Sequence, residues 1–185
     1  MSRPIEPQKK QKLLEGCLAD AIEVGVLDSS INAFAKIIGT SGRMLVYHFG
    51  SKQELEKQLI SLLEIRLREQ LWSFHSLSGN KTNGLVETLL EMWKHLTSPE
   101  MHGLLKLAME VNQRSIQGDL ETQIFVDNET QQWIDSLYNL TNDKTVALLF
   151  FHVFQGALLD FLPTGEEQRG KQSIEVFAQS IGTVY

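Results

Sequence analysis

Two short amphipathic helical patterns that meet at a glycine place the strongest constraint on the fold of this chain. Either Ser29 or Ser30 can cap the first helix. Its apolar residues recur at helical period, at Ile31, Phe34, Ala35 and Ile38. Gly39 then supplies the left-handed backbone that ends this helix. Two short helices joined by a tight turn form a helix-turn-helix, a motif that commonly reads DNA.

The second pattern has an inner and an outer face. Thr40 or Ser41 can cap its start, and Leu45 and Phe49 form the inner face. Small or long polar groups on a short exposed helix suit entry into a major groove about 12 Å wide. The outer face is predicted to carry Gly42, Arg43, Met44, Tyr47 and His48.

A third helix start follows directly. Ser51 is expected to form a capping box with Glu54. Lys52 lies in the first turn, where free backbone N–H groups attract phosphate and its ammonium adds positive charge. This helix start is therefore a predicted phosphate contact.

These residues resemble the DNA-binding motif of the TetR family of bacterial transcriptional repressors. That motif begins with a small polar residue and an apolar residue, followed by Ile-Ala and, four residues on, a Gly. After the Gly come a Ser, the sequence Leu-Tyr-x-His/Tyr-Phe and then x-Ser-Lys-x-x-Leu. Matching places are occupied by Ser30, Ile31, Phe34-Ala35, Gly39, Ser41, Leu45, His48-Phe49, Ser51-Lys52 and Leu55. The family's first helix is resembled by Leu14, Leu18, Ala21-Ile22 and Gly25. The resemblance covers about the first third of the chain, and the rest matches in length and helical character.

The chain departs from the family motif at three places. Arg43 and Met44 replace a common small residue and Thr. Val46 replaces the first aromatic of a pair, so a phosphate-binding hydroxyl is missing there, and Asn32 occupies an often basic position. The operator sequence therefore does not transfer from any relative.

The predicted contacts with double-stranded DNA divide into base and phosphate contacts. Arg43 is expected to make a bidentate guanine contact, which contributes about 1–3 kcal/mol of discrimination. Gly42 would allow close approach, and Met44 would touch a thymine methyl. Phosphate contacts are assigned to Ser30, Tyr47, His48 and Lys52, with help from Lys9 and Lys10. The predicted interface is completed by Asn32, Thr40 and Ser41.

The rest of the chain has helical patterns and few strand signals, so the predicted fold class is all-α with about nine helices. Outside the helix-turn-helix, they are expected at about 8–25, 52–76, 85–96, 99–117, 119–140, 142–162 and 164–184. Residues 77–84 form the clearest loop, and Pro163-Thr164-Gly165 is predicted to break a helix. We predict a DNA-binding domain at 1–55 and an effector-binding and dimerisation domain at 56–185.

Apolar stripes on the last two predicted helices indicate a homodimer. One stripe comprises Phe150, Phe154, Ala157, Leu158 and Phe161, and the other Ile174, Phe177, Ile181 and Val184. Two such helices from each subunit would form a four-helix interface. Two recognition helices about 34–36 Å apart could then read the half-sites of a palindrome. Packing of both stripes inside a monomer is the alternative.

The body is predicted to bind a small-molecule effector among aromatic and Met side chains, which suit an apolar site between helices. The candidates are Trp72, Phe74, Trp93, Met101, Met109, Asn112, Phe125, Trp133, Tyr138 and Phe151. Taken singly, each of them also fits an ordinary core position. In the family, such a ligand changes the separation of the two DNA-binding heads and releases the operator, so the resemblance implies a repressor.

Composition indicates a cytoplasmic protein but does not by itself indicate nucleic-acid binding. The net charge is −6, although residues 1–60 hold 8 Lys and Arg against 7 Asp and Glu. Cys17 is the single cysteine, so no intrachain disulfide forms, and a buried thiol is favoured over a redox sensor. The N-terminal twelve residues contain no apolar stretch of the kind that a secretory signal needs.

The apolar segment 146–162 is the one candidate for a membrane helix. His152, Gln155 and Asp160 interrupt it, and its length is marginal for a span. We therefore interpret it as a central helix of a bundle or an interface, and expect no membrane partner.

Two other classes of function compete with the regulator. An enzyme is disfavoured because the chain has no Gly-rich phosphate loop, GxSxG or HExxH motif, so no catalytic residue or cofactor is predicted. His95 and His102, with Glu91 nearby, offer only a weak metal site, and we expect none. A helical adaptor or ligand-binding protein that has lost DNA binding is the alternative that Val46 and the acidic charge favour.

Overall fold

The computed structural model describes residues 6–24, 27, 29–78 and 84–182, and the side chains of 71–78 and 182 lie outside the described set. These residues form nine α-helices and no strand, which confirms the predicted all-α class. The helices are α1 (Pro7–Val24), α2 (Ile31–Ile37), α3 (Gly42–Phe49), α4 (Lys52–Ser78), α5 (Leu85–Leu96), α6 (Pro99–Ile116), α7 (Leu120–Thr141), α8 (Lys144–Thr164) and α9 (Glu167–Gly182).

The chain divides into two compact units. Unit 1 comprises Met1–Leu67 and Gly103–Val126, and unit 2 comprises Arg68–His102 and Asp127–Tyr185. Helices α4, α6 and α7 each contribute residues to both units, and the functional boundary at residue 55 stays a prediction. Periodicity within one helix does not reveal which of its turns packs with which part of the chain.

The core of unit 1 is built from the apolar faces of its helices. The buried side chains are Leu14, Cys17, Leu18 and Ala21 of α1, Phe34 and Ala35 of α2, Leu45 and Phe49 of α3, Leu55, Leu59, Leu62 and Leu63 of α4, and Leu104, Leu105, Leu107 and Val111 of α6. Each fully buried Leu or Phe contributes about 1.5–3 kcal/mol to folding. Burial raises the pKa of the Cys17 thiol to about 11, so the thiol is uncharged at neutral pH and unsuited to redox chemistry.

Helix α6 approaches α1 closely in unit 1. A Cβ built on Gly103 would lie 2.5 Å from the carbonyl oxygen of Ile22. Because a backbone atom cannot give way as a flexible side chain does, only glycine permits this approach. The part of α6 that begins at Gly103 is thereby packed against the same helix that supports α2 and α3.

Unit 2 is organised around Trp93 on α5. Its indole Nε1 donates a hydrogen bond to the Glu167 carbonyl oxygen at 3.1 Å, and its ring contacts Phe154 and Phe161. A Cβ on Gly170 would lie 2.3 Å from the indole, so α9 meets α5 through this glycine. Trp93 is 1% exposed, which identifies it as the centre of the unit 2 core.

Helix α8 has a buried inner face and an exposed outer face. The inner face holds the predicted dimer stripe, since Phe150, Phe154, Ala157, Leu158 and Phe161 are all buried within the unit. Among the described residues, α8 is the one helix long and apolar enough to cross a membrane by length and composition. A core helix passes the same test, and the burial of its aromatic residues fits that interpretation.

The junction between α8 and α9 lies within the segment Pro163-Thr164-Gly165, where the sequence predicts a break. Helix α8 includes Pro163 and Thr164 and ends at Gly165, whose φ is +73°. Proline in a last turn removes one helical hydrogen bond without preventing helical φ. The Thr164 hydroxyl accepts a hydrogen bond from the Glu166 N–H at 3.2 Å, within the turn that leads to α9.

Gly170→Ala tests the contact between α5 and α9. The added methyl group would overlap the indole of Trp93, and we expect a loss of about 1–3 kcal/mol in the free energy of unfolding. Urea unfolding monitored by circular dichroism measures this loss. Gln168→Ala, at an exposed position on the same helix, is the matched control, and equal stabilities of the two variants would contradict this packing.

Asp20 provides a second test, in the core of unit 1. Its side chain is buried and Oδ2 has no hydrogen-bond partner among the described residues. Burial, and to a lesser extent the charge of Glu23, raise the pKa of this carboxyl. The folded state then binds the proton more tightly than the unfolded chain, so stability is lost as pH rises through this raised pKa.

We therefore expect Asp20→Asn to stabilise the protein at pH 7, by about 1 kcal/mol. The gain should shrink as pH falls toward about 4, where the carboxyl of the unfolded chain also takes up its proton. Thermal unfolding at a series of pH values measures this difference. Glu23→Gln removes only the repulsion between the Glu23 and Asp20 carboxylates, so it should increase the free energy of unfolding by less than Asp20→Asn. A destabilised Asp20→Asn variant at pH 7 would refute the assignment.

Candidate nucleic-acid interface

The turn between α2 and α3 is built as the sequence predicts. The Ser30 hydroxyl accepts from the Ala33 N–H at 3.1 Å and so caps α2. Gly39 has a φ of +69°, and the N–H of the next residue, Thr40, donates to the Ala35 carbonyl oxygen at 2.8 Å. This bond from beyond a left-handed glycine back into the last turn is the Schellman pattern, which stops α2 and redirects the chain.

Helix α3 begins at a second serine cap and meets α2 through a glycine. The Ser41 hydroxyl accepts from the Met44 N–H at 3.3 Å. A Cβ on Gly42 would lie 2.3 Å from Asn32 Oδ1 and 3.2 Å from Ile31 Cγ2. The missing side chain of Gly42 therefore accommodates α2, and its role in close approach of DNA stays a prediction.

The two faces of α3 are clearly divided. Leu45, His48 and Phe49 are buried, whereas Arg43, Val46 and Tyr47 are exposed. Arg43 is therefore available to a base edge, and the exposed Tyr47 carries the hydroxyl that Val46 lacks. Met44 is half-buried, and Thr40 and Ser41 lie in the turn before the helix.

His48 does not lie on the outer face where the sequence analysis placed it. Its side chain is only 4% exposed, and neither ring nitrogen has a hydrogen-bond partner among the described residues. Its ring meets that of Tyr47 edge-on at 5.1 Å between centroids. The sequence did contain the signal, because positions 45, 48 and 49 follow the i, i+3, i+4 spacing of a single helix face.

The start of α4 places a lysine beside a carboxylate. The Ser51 hydroxyl accepts from the Glu54 N–H at 3.1 Å, which is one half of the predicted capping box. The side chain of Lys52 is 38% exposed, and its Nζ lies 3.3 Å from Glu56 Oε1. A phosphate that approaches this helix start would meet both the free N–H groups and this ion pair.

Two lysines of α1 differ in their surroundings. Lys9 is exposed, and Lys10 is half-buried with its ammonium 5.3 Å from the centroid of the Phe49 ring. The attraction between the cation and this ring ties α1 to the end of α3. Ser30 and Asn32 are exposed at the start of α2.

A group of charged residues that no sequence pattern indicated connects α6 with this region of unit 1. Glu110 accepts a hydrogen bond from the Leu27 N–H through Oε2 at 2.6 Å and from Arg114 through Oε1. Arg114 also lies 3.6 Å from Glu56 Oε2. The contact between Leu27 and Glu110 spans 83 positions of the chain, so local patterning gave no signal for it.

The predicted effector residues are divided between the two units. Met109, Asn112 and Phe125 belong to unit 1, and Trp93, Met101, Trp133, Tyr138 and Phe151 belong to unit 2. Within unit 1, Asn112 Nδ2 lies 4.0 Å from Met109 Sδ. The side chains of Trp72 and Phe74 lie outside the described set. Trp93 and Met101 are fully buried, Phe125 and Phe151 nearly so, and Tyr138 is exposed.

The predicted dimer stripes face the interior of unit 2. In addition to the buried α8 residues, Ile174 is fully buried on α9, and Phe177 is half-buried with its ring 5.0 Å from that of Phe150. Ile181 is half-buried, and Val184 lies outside the described residues. The opposite face of α8 instead presents Leu148, His152 and Leu159 to solvent.

The candidate metal residues do not come together. Among the described residues, no group of three or more His, Cys, Asp or Glu side chains is arranged to hold a metal ion. The ring of His102 meets that of Phe161 edge-on, with 5.9 Å between centroids.

Comparison with known proteins identifies the fold. No protein-family profile and no curated protein matches the chain. A transcriptional regulator from Rhodococcus sp. Rha1 superposes with a TM-score of 0.74 at 15% identity, covering 93% of this chain and 95% of that one. A protein described as a TetR-family transcriptional regulator from Mesorhizobium loti has a TM-score of 0.68 at 16% identity, with 99% of each chain covered.

A third structure carries a more specific description. The fatty acid degradation regulator FadR from Bacillus halodurans superposes with a TM-score of 0.61 at 14% identity, covering 96% of this chain and 95% of that one. The chain therefore has the fold of TetR-family transcriptional regulators, as the resemblance in residues 29–55 predicted.

Proposed function

We propose that the chain is a DNA-binding transcriptional regulator whose helix α3 enters the major groove. The observation that carries this proposal is the division of α3, with Leu45, His48 and Phe49 inward and Arg43 and Tyr47 outward. A short capped helix anchored on one face and polar on the other is what a recognition helix requires. Its arrangement within the TetR fold supports the same function.

Base and phosphate contacts follow from the exposed side chains. Arg43 would pair with a guanine and Met44 would touch a thymine methyl. Tyr47, Lys52 and Ser30 would bind phosphates, with Lys9 beside them. Because His48 is buried, we assign it to holding the Tyr47 ring in position instead of to a direct contact.

A homodimer would use the outer face of α8. Leu148, His152 and Leu159 share one side of the helix at i, i+4 and i+11, and Leu148 and Leu159 are 43% and 67% exposed. Val176 of α9 is 64% exposed. Burying such aliphatic side chains against a second copy removes apolar surface from water. The dimer would bring two recognition helices to the half-sites of a palindromic operator.

We further propose that the protein is a cytoplasmic repressor released by an apolar or planar small molecule. The aromatic and Met residues of units 1 and 2 support an effector of that chemistry. By linkage, the effector must bind the geometry that does not bind DNA more tightly than the geometry that does.

Selection of bound duplexes from a random-sequence DNA pool, at two salt concentrations, tests the proposed function. A palindrome whose affinity falls with salt would support a dimeric DNA reader. If the folded chain enriches no duplex at either salt concentration, the alternative of an adaptor that has lost DNA binding would be favoured.

Arg43→Ala and Lys52→Ala should affect DNA binding differently. Loss of Arg43 removes a base contact, so discrimination at one base pair should fall by about 1–3 kcal/mol. Loss of Lys52 removes a phosphate contact, so all duplexes should bind more weakly and the salt slope should fall by about 1. Fluorescence anisotropy with the selected duplex and single-base variants measures both effects. If neither variant changed binding, the docking of α3 would be wrong.

Leu148→Glu combined with Leu159→Glu should dissociate the dimer. Charges on the outer face of α8 would repel the same charges on a second copy. Sedimentation velocity at micromolar concentration should show a shift from dimer to monomer. Ile124→Glu is the control, because Ile124 is 64% exposed on α7 and lies outside the proposed interface. A dimer that survives the double change would place the interface elsewhere.

A further inference from the structure

Four side chains of alternating charge connect the C-terminal half of α6 with the start of α4 in unit 1. Lys52 Nζ lies 3.3 Å from Glu56 Oε1, and Glu56 Oε2 lies 3.6 Å from an Arg114 guanidinium nitrogen. The other terminal nitrogen of Arg114 donates to Glu110. The arrangement ends at the Leu27 N–H, which donates to the second oxygen of Glu110 at 2.6 Å.

The inner members of this ion network are better shielded from water than Lys52. The side chains of Glu56, Arg114 and Glu110 are 18%, 20% and 21% exposed, whereas that of Lys52 is 38% exposed. Interactions between charges strengthen as water is excluded, so Arg114 holds the two carboxylates more firmly than a surface pair would. Lys52 is the member with the most access to a ligand.

Glu56 competes with any phosphate for the ammonium of Lys52. Its Oε1 accepts no hydrogen bond among the described residues, so its contact with Lys52 is an ion pair without a directed bond. A carboxylate at this place also repels an approaching phosphate. Arg114 offsets both effects, because its positive charge lies beside the other oxygen of the same carboxylate.

On the basis of the proposed DNA-binding function, we infer that Arg114 is a positioning residue that acts through Glu56 on Lys52. With Arg114 present, the four side chains carry no net charge. The Glu56 carboxylate beside Lys52 is then already neutralised by Arg114, so the Lys52 ammonium remains able to bind a phosphate. Without Arg114 the group carries one net negative charge, Glu56 holds Lys52 more tightly, and the phosphate contact weakens. A helix outside the helix-turn-helix thus sets the affinity of its phosphate-binding lysine.

The same arginine supports the chain segment that leads into α2. Glu110, held by Arg114, accepts the Leu27 hydrogen bond in the connection between α1 and α2. A displacement of α6 near Arg114 would therefore change both the charge beside Lys52 and the support of this connection. This provides one physical link from α6 to the DNA-reading surface within a single compact unit.

A double-mutant cycle tests the inference. The variants are Arg114→Gln, Glu56→Gln and their combination, each measured by anisotropy on one labelled duplex that the wild-type chain enriches, over a range of KCl concentrations. Glu54→Gln is the matched control background. Glu54 carries the same charge as Glu56 and lies two residues before it in α4, and its carboxylate accepts from Gln58.

We expect Arg114→Gln to weaken binding by about threefold to tenfold, the range typical of coupled residues in one network. Its salt slope should fall toward that of Lys52→Ala, a decrease of about 1, because one phosphate contact is lost. In the Glu56→Gln background, Arg114→Gln should have little effect. In the Glu54→Gln background, its full effect should remain, since Glu54 does not mediate it.

Equal effects of Arg114→Gln in the two backgrounds would overturn the inference, because the charge would then act on DNA independently of Glu56. An unchanged salt slope would overturn it as well, since a structural defect lowers affinity without removing a phosphate contact. A wild-type chain that enriches no duplex would instead refute the proposed function, and this inference with it.

Arg114→Lys keeps the inference testable if Arg114→Gln does not fold. Lysine retains the charge beside Glu56 but cannot hold two carboxylates with one planar group. We expect its affinity to lie between those of wild type and Arg114→Gln, with the wild-type salt slope. Thermal unfolding of every variant identifies any that are not folded at the assay temperature. If Arg114→Lys folds but shows the low salt slope of Lys52→Ala, the role assigned to the positive charge of Arg114 would be contradicted.

Discussion

The reversal of the chain at Gly39 is the constraint on which the DNA-reading surface depends. Helices of seven and eight residues are too short to be stable alone in water. They persist here because the left-handed glycine lets the second fold back on the first, and because Gly42 leaves space for Asn32. Burial of Phe34, Leu45 and Phe49 then supplies the stability that neither helix has by itself.

Fixing α3 by its inner face determines what its outer face can do. Once Leu45, His48 and Phe49 are buried, rotation of the helix is no longer possible, and Arg43 and Tyr47 must face outward. The same packing places the Phe49 ring of α3 next to the Lys10 ammonium of α1, so α1 is held against α3. The capacity to read DNA, as we propose it, is therefore a consequence of core packing in unit 1.

Overall charge is a poor guide to this surface. A chain of net charge −6 does not attract DNA as a whole, so any binding must depend on local arrangement. In unit 1, Arg114 from a distant part of the chain compensates the Glu56 carboxylate near the start of α4. The energetic weight of Lys52 thus depends on residues that are far from it in sequence.

Much of the fold was predictable, because caps and periodicity are local properties. The structure has serine caps at Ser30, Ser41 and Ser51 and the left-handed Gly39 where the sequence indicated. Nine helices, as predicted, account for the described part of the chain. The placement of His48 on the outer face is wrong, because its polarity suggested exposure while its i, i+3 spacing from Leu45 puts it on the inner face. The contact of Gly42 with Asn32 joins two helices, so no pattern within one helix indicated it.

The sequence by itself determined the helices, their caps and the division of α3 into two faces, since backbone hydrogen bonding and side-chain periodicity act over a few residues. Only the tertiary structure decided which apolar stripe is internal and which charges meet. The stripe on α8 that resembled an interface is covered by α9 of the same unit, and Glu110 reaches Leu27 across 83 positions. Such pairings depend on how helices pack in three dimensions, and no spacing along the chain encodes them.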